Sequence, residues 1–217
     1  MACAAENLKK VTLECGGKSA NIVREDADLD LALDGSLYAV FYHQGQCCEA
    51  GTRLLLPRKL HDQFVDRLVS KTKRLRLGDP GDPATDIGPL ISKRQQDRVL
   101  GYIENGKQEG AKVLVGGGVP REPACASGFF VEPTIFDGVE SKMTIAQEEI
   151  FGPVLSVLQF ETEEQAIALA NETIYGLGAG VWSKDSERAM RVAARLRAGT
   201  VWINEWHLIS ERAPFGG

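Results

Sequence analysis

The stretch "GQCCEAGTRLLLP", Gly45–Pro57, joins two adjacent thiols to a compact apolar run closed by proline. Four to eight residues of that kind, bounded by turn signals, suit a strand buried on both faces. Downstream, Leu60–Leu75 places Phe64, Leu68 and Leu75 near helical spacing. Upstream, Leu29–Tyr42 carries a helical pattern, preceded by short β-rich runs at Val11–Cys15 and Asn21–Val23 that flank a Gly-Gly-Lys turn. The alternation continues. Gly78–Pro89 is turn chemistry, Ser92–Glu109 a polar helix and Lys112–Val115 a strand; Gly116–Gly128 is a loop. "FFVEPTIF", Phe129–Phe136, is a strand interrupted by Pro133. Strands at Val154–Phe160, Ala179–Trp182 and Thr200–Asn204 alternate with helices at Glu163–Glu172 and Ser186–Arg197, the latter with Ser183 or Ser186 as candidate cap. Such alternation predicts an α/β fold: a three-layer α/β/α arrangement around a mostly parallel, doubly wound sheet.

Composition narrows the function classes. The hydrophobic share of 43% supplies a sizeable core. A net charge of −5 argues against nucleic acid or an anionic lipid surface as the main partner. No apolar run approaches the roughly 18 residues of a membrane span, and the N-terminus lacks a secretory pattern. The cysteines, at 3, 15, 47, 48 and 125, are odd in number and irregularly spaced, which reads as reduced thiols in a cytoplasmic setting.

Three stretches carry candidate chemistry. Cys47 and Cys48 are small buried hydrophobes on one reading; on the other, a nucleophile lies exposed among Gly45, Ala50 and Gly51, where backbone and ligand approach closely. Adjacent cysteines lack zinc-site spacing, and His43, His61 and His207 form no paired pattern, so no metal is expected. In "TLECGGKSAN", Thr12–Asn21, Glu14 ends a strand beside a glycine turn, placed for a crevice or for solvent. In "AQEEIFGPVLSV", Ala146–Val157, a carboxylate, an aromatic ring and a Gly-Pro turn precede a strong strand.

Together the three resemble the aldehyde dehydrogenase superfamily. Leu13-Glu14-Cys15-Gly16-Gly17-Lys18 matches its glutamate signature and Gly45-Gln46-Cys47-Cys48-Glu49-Ala50-Gly51 its cysteine signature. "EEIFGPV" at Glu148–Val154 and "PFGG" at Pro214–Gly217 follow in order, so the resemblance runs along essentially the whole chain. It implies that Cys48 is the nucleophile and Glu14 the general base. It implies that Glu149 holds a nicotinamide ribose with Phe151 beside it, and that Cys47, Glu49 and Asn204 border the substrate pocket. The cofactor implied is NAD or NADP, the substrate a small aldehyde, and the full-length protein a homo-oligomer. Cys48 would form a thiohemiacetal, then a thioester that water hydrolyses.

The resemblance covers a single catalytic domain, 1–217, and nothing corresponds to the family's N-terminal cofactor-binding part or its C-terminal segment. Gly176-Leu177-Gly178-Ala179-Gly180 lacks dinucleotide-binding spacing and is expected to be structural. The expectation is therefore a chain largely inactive as a dehydrogenase alone. Two alternatives stand beside it: a cofactor-independent thiol esterase, and a non-catalytic binding or assembly module.

Overall fold

Seven strands form one sheet in the order β3-β4-β5-β2-β1-β6-β7, seen in a computed structural model that describes residues 2–11, 13 and 15–217. In chain order the elements are α1 (Ala2–Ala5), β1 (Ala20–Val23), α2 (Leu29–Phe41), β2 (Arg53–Pro57), α3 (Arg58–Thr72), α4 (Lys93–Gln108) and β3 (Lys112–Val115). Then come β4 (Thr134–Asp137), α5 (Thr144–Gln147), β5 (Val154–Phe160), α6 (Glu163–Ala170), β6 (Gly178–Trp182), α7 (Ser186–Ala193) and β7 (Thr200–Ile203). Every pairing is parallel except the antiparallel β3–β4 edge.

The apolar runs divide between the two faces of the sheet. Leu54 and Leu56 of β2 join Leu155 and Val157 of β5 in packing against Leu33 and Val40 of α2 and Phe64 and Leu68 of α3. Leu55, Val154 and Leu158 point the other way, toward Val99 and Ile103 of α4, Ala166 of α6 and Val192 of α7. A run apolar at every position is thus required by burial on both sides. The chain winds outward from β1 in both directions, through α2 to β2 on one face and through α7 from β6 to β7 on the other. This is the expected three-layer, doubly wound α/β architecture.

Caps hold the helix starts: the Asp28 side chain accepts from the N–H groups of Asp30 and Leu31, Ser92 from Gln95 and Thr162 from Gln165. At α7 the cap is Asp185, which accepts from the Arg188 N–H at 2.9 Å, and neither expected serine. Ser183 instead donates its hydroxyl to Asp26.

Two strand expectations change. Val11, Leu13 and Cys15 take no strand conformation and are exposed; Thr12 and Glu14 lie outside the described residues. Both edges of β1 are already occupied by β2 and β6, so the upstream segment finds no ladder there. In "FFVEPTIF" only the part after Pro133 pairs. Strand β4 is hydrogen-bonded to a neighbour on each side, and a proline, lacking an N–H, is confined to its entrance.

Candidate active site

The three motif turns meet at one end of the sheet. Gly16-Gly17-Lys18 leads into β1, Cys48 into β2, and Glu149-Ile150-Phe151-Gly152 into β5, all on adjacent parallel strands. The site therefore sits at the amino ends of these strands, whereas crevice sites in open α/β sheets ordinarily lie beyond the carboxyl ends.

Glycines permit the turns to touch. A Cβ on Gly17 would overlap the Cys48 carbonyl oxygen, and one on Gly16 would overlap the Glu149 carboxylate. The Gly17 N–H donates to Glu149 Oε1 at 3.0 Å. Gly45, at φ +69°, packs directly against the Gly152 carbonyl. The glutamate-signature turn is thus clamped between the nucleophile turn and the Glu149 carboxylate. Glu14 itself lies outside the described residues, two positions upstream of this clamp.

Cys48 and Cys47 are half-buried, not sealed in the core. The Cys48 thiol donates to Glu49 Oε2 at 3.0 Å, while His207 Nδ1 lies 3.1 Å from Glu49 Oε1. A carboxylate only accepts, so the imidazole must be the donor at Nδ1. The His207 bond, against the opposing effect of burial, holds the Glu49 carboxyl down at about 2. Burial first, then the Glu49 hydrogen bond and charge, push the Cys48 thiol up to about 12; the backbone N–H groups of Cys48 and Glu49 oppose this. Cys47 is pushed up to about 12 by the same two causes. In this arrangement the Cys48 sulfur is held as a thiol, and it must leave Glu49 to become a thiolate.

On the other side of the clamp, Glu149, Phe151, Arg94, Gln95 and Arg98 line an open groove of about 660 Å³. Gln95 Nε2 donates to the Phe151 carbonyl at 2.7 Å, and Arg98 to the Glu149 carbonyl at 2.7 Å. These bonds hold the left-handed turn in which Phe151 has φ +60°. Beneath the clamp, Lys18 is 2% exposed and its Nζ has no hydrogen-bond partner among the described residues. Burial, then the Arg53 charge, lower its amine to about 7. Arg53, itself buried, donates to the carbonyls of Lys18, Leu169 and Ala170.

Asn204 is not part of this cluster. It follows the carboxyl end of β7, exchanging both ends of its amide with the Ser183 backbone at 2.9 and 2.8 Å, at the far end of the sheet from Cys48. Each end of the amide spends one of its two hydrogen-bonding positions on the backbone, which fixes the side chain there. The residue from this region that does reach the site is His207, carried back by Trp206, whose indole N–H donates to the Glu49 carbonyl at 3.3 Å. The sequence offers His207 as a lone histidine and, with Trp206, as a candidate for tuning substrate preference; its partner Glu49 is 158 residues away. The Gly176–Gly180 run forms the entrance and body of β6.

This fold, with a cysteine turn clamped to a Gly-Gly-Lys turn at the amino ends of parallel strands, defines a class: the chain belongs to the aldehyde dehydrogenase family, whose profile matches residues 1–217. Within it, the chain is 54% identical over 217 residues to the betaine aldehyde dehydrogenase of Bacillus subtilis (strain 168), covering 100% of this chain and 44% of that protein. It is 51% identical to the betaine aldehyde dehydrogenase of Brucella anthropi, covering 45% of it. Among solved structures, a putative aldehyde dehydrogenase from Burkholderia cenocepacia superposes with a TM-score of 0.95 at 47% identity, over 100% of this chain and 44% of that one. The betaine aldehyde dehydrogenase of Staphylococcus aureus, in complex with NAD+, also gives 0.95, at 44% identity over 99% of this chain and 42% of its own. The chain spans a little under half the length of the relatives it matches. No described helix is long and apolar enough to cross a membrane.

Proposed function

We propose that residues 1–217 form the catalytic domain of an NAD(P)-dependent aldehyde dehydrogenase, with Cys48 as nucleophile and Glu14 as general base. The observation that carries this reading is the clamp: the Gly16–Gly17 turn touches both the Cys48 carbonyl and the Glu149 carboxylate. Cys48, released from Glu49, attacks the aldehyde carbon; its own backbone N–H faces the oxyanion that develops. The resulting thioester is hydrolysed by water that gives its proton to Glu14.

The residues present suit a nicotinamide nucleotide. Glu149 offers a half-exposed carboxylate, oriented by the Gly17 N–H, at the mouth of an open groove, with the Phe151 ring beside it. The nucleotide, when bound, supplies the hydride acceptor that turns the thiohemiacetal into the thioester. The chain spans under half the length of its relatives, and on the reading that the rest of the nucleotide site lies in the other half, the 217 residues alone are expected to reduce little NAD+. Loss of even one oxyanion donor costs on the order of 10²–10³ in rate.

Betaine aldehyde is the first substrate to test, since close relatives carry its name. The exposed rings of Tyr38 and Tyr42, both within 5.0 Å of the His207 ring, offer π faces to a quaternary ammonium group. Free thiols at all five cysteines fit a reducing, cytoplasmic compartment, and the longer protein is read as a homo-oligomer.

The test is acylation. Incubated with p-nitrophenyl acetate without nucleotide, the chain should acquire one acetyl group, found on the Cys48 peptide by mass spectrometry. Glu14→Gln should let that acyl-enzyme persist. Acetyl transfer that survives Cys48→Ala, or an acyl-enzyme that decays equally fast in Glu14→Gln, would overturn the assignment.

A further inference from the structure

Around the Glu49 carboxylate, the neighbouring thiols of Cys47 and Cys48 meet His207, which lies 158 residues from Glu49 along the chain. Among the described residues, the donor atoms of Cys47, Glu49 and His207 form a group lying within 4.8 Å of one another. The set is one sulfur, one oxygen and one imidazole nitrogen, the donor mixture that borderline-soft divalent ions such as Zn2+ select. Tetrahedral coordination at the usual bond lengths brings such atoms to roughly 3.5 Å apart. About 1 Å of closure is needed, within reach of rotation about the Cys47 and Glu49 side chains.

The cluster is also built. The His207 and Glu49 side chains are 6% and 7% exposed, and His207 Nε2 is a buried nitrogen with no partner among the described residues. His207 itself stands at φ +63°, unusual for a bulky residue, with Tyr38 and Tyr42 packed on its ring. The position is held by its surroundings, with Trp206 fully buried beside it.

We propose that Cys47, Glu49 and His207 form a binding site for a thiophilic divalent cation of the Zn2+ class, with its fourth position facing Cys48. Binding forms metal–sulfur, metal–oxygen and metal–nitrogen bonds and breaks the Cys47 S–H and His207 Nδ1–H bonds. The thiol proton passes to solvent, the imidazole proton moves to Nε2, and no redox change occurs. Because Cys48 donates its thiol to the same Glu49 carboxylate, an ion on Glu49 takes away that acceptor and stands at the sulfur. The site is thus a reversible mask over Cys48. Its existence does not depend on Cys48 being the nucleophile.

Co2+ and Zn2+ are the probes, added to the reduced 217-residue chain. Co2+ should give a stoichiometric tetrahedral spectrum with a thiolate charge-transfer band, displaced by Zn2+. The band should vanish in Cys47→Ala and persist in Cys48→Ala. His207→Asn, chosen because asparagine tolerates the left-handed backbone, should weaken binding at least tenfold, and circular dichroism checks its fold. Zn2+ should slow alkylation of Cys48 at least tenfold in the parent and not in Cys47→Ala. A parent chain with no thiolate–Co2+ band at micromolar ion, or a Cys47→Ala chain that keeps it, would overturn the proposal.

Discussion

Lys18 gives the sharpest test of the buried electrostatics under the site. Lys18 is 2% exposed, and its amine lies near Arg53 with no hydrogen-bond partner among the described residues. The fall from 10.5 to about 7 has burial as its main cause and the Arg53 charge second, with Glu149 and Glu148 opposing. At about 1.4 kcal/mol per pH unit, that fall is worth on the order of 5 kcal/mol. The folded pKa is depressed, so between pH 7 and 10.5 the unfolded chain binds a proton that the folded chain has released. Stability must therefore rise with pH across this window, and below pH 7 the whole penalty is present. Lys18→Met keeps the aliphatic stem and removes the titration. Urea unfolding followed by tryptophan fluorescence, at pH 7 and pH 9.5, should show the parent gaining about 3 kcal/mol over the variant across the interval. Other groups titrating in that range cancel in the comparison. At pH 7 the variant should be the more stable chain. Parallel stability curves for the two proteins would mean that the amine is solvated in the folded state and that the burial argument fails.

Three further outcomes follow from the clamp and its surroundings. Glu49→Gln should move alkylation of Cys48 to lower pH, since it removes the negative charge and leaves only a weaker amide acceptor for the thiol; burial remains, so the midpoint should stay above 9. Peptide mass spectrometry of iodoacetamide labelling against pH measures this, and an unmoved midpoint would refute the role given to Glu49. Gly17→Ala puts a methyl group on the Cys48 carbonyl, which should cost about 1–3 kcal/mol and abolish acylation of Cys48 by p-nitrophenyl acetate. Wild-type acylation in that variant would show that the two turns are not coupled. Trp206→Ala removes a fully buried ring and its bond to the Glu49 carbonyl, so chemical denaturation should show a loss of about 3–5 kcal/mol.

How much of this was legible in the sequence depends on the range over which each residue acts. Thr52–Pro57 and Val154–Phe160 announce themselves because a strand covered by helices on both faces must be apolar at successive positions. The motif turns are legible for a related reason: Gly17 and Gly45 sit where backbone meets backbone, and no other residue fits without displacement. The misreadings share an opposite cause. Val11–Cys15 has strand-forming residues, but strand formation needs a free edge, and β1 offers none on either side. Ser183 and Ser186 are good caps by type, yet Asp185 lies at the right position and Asp26, 157 residues from Ser183, claims that hydroxyl. Asn204 is drawn to the pocket by resemblance; what its left-handed turn and two hydrogen bonds to the Ser183 backbone add is the tying of β7 to β6. The pairing of Glu49 with His207 had no local signal at all. It exists because Trp206 folds back under β6 and delivers its neighbour to the cysteine turn. Local pattern thus locates the two cysteines and Glu49, while the imidazole that fixes the Glu49 carboxylate beside them arrives by tertiary return of the chain.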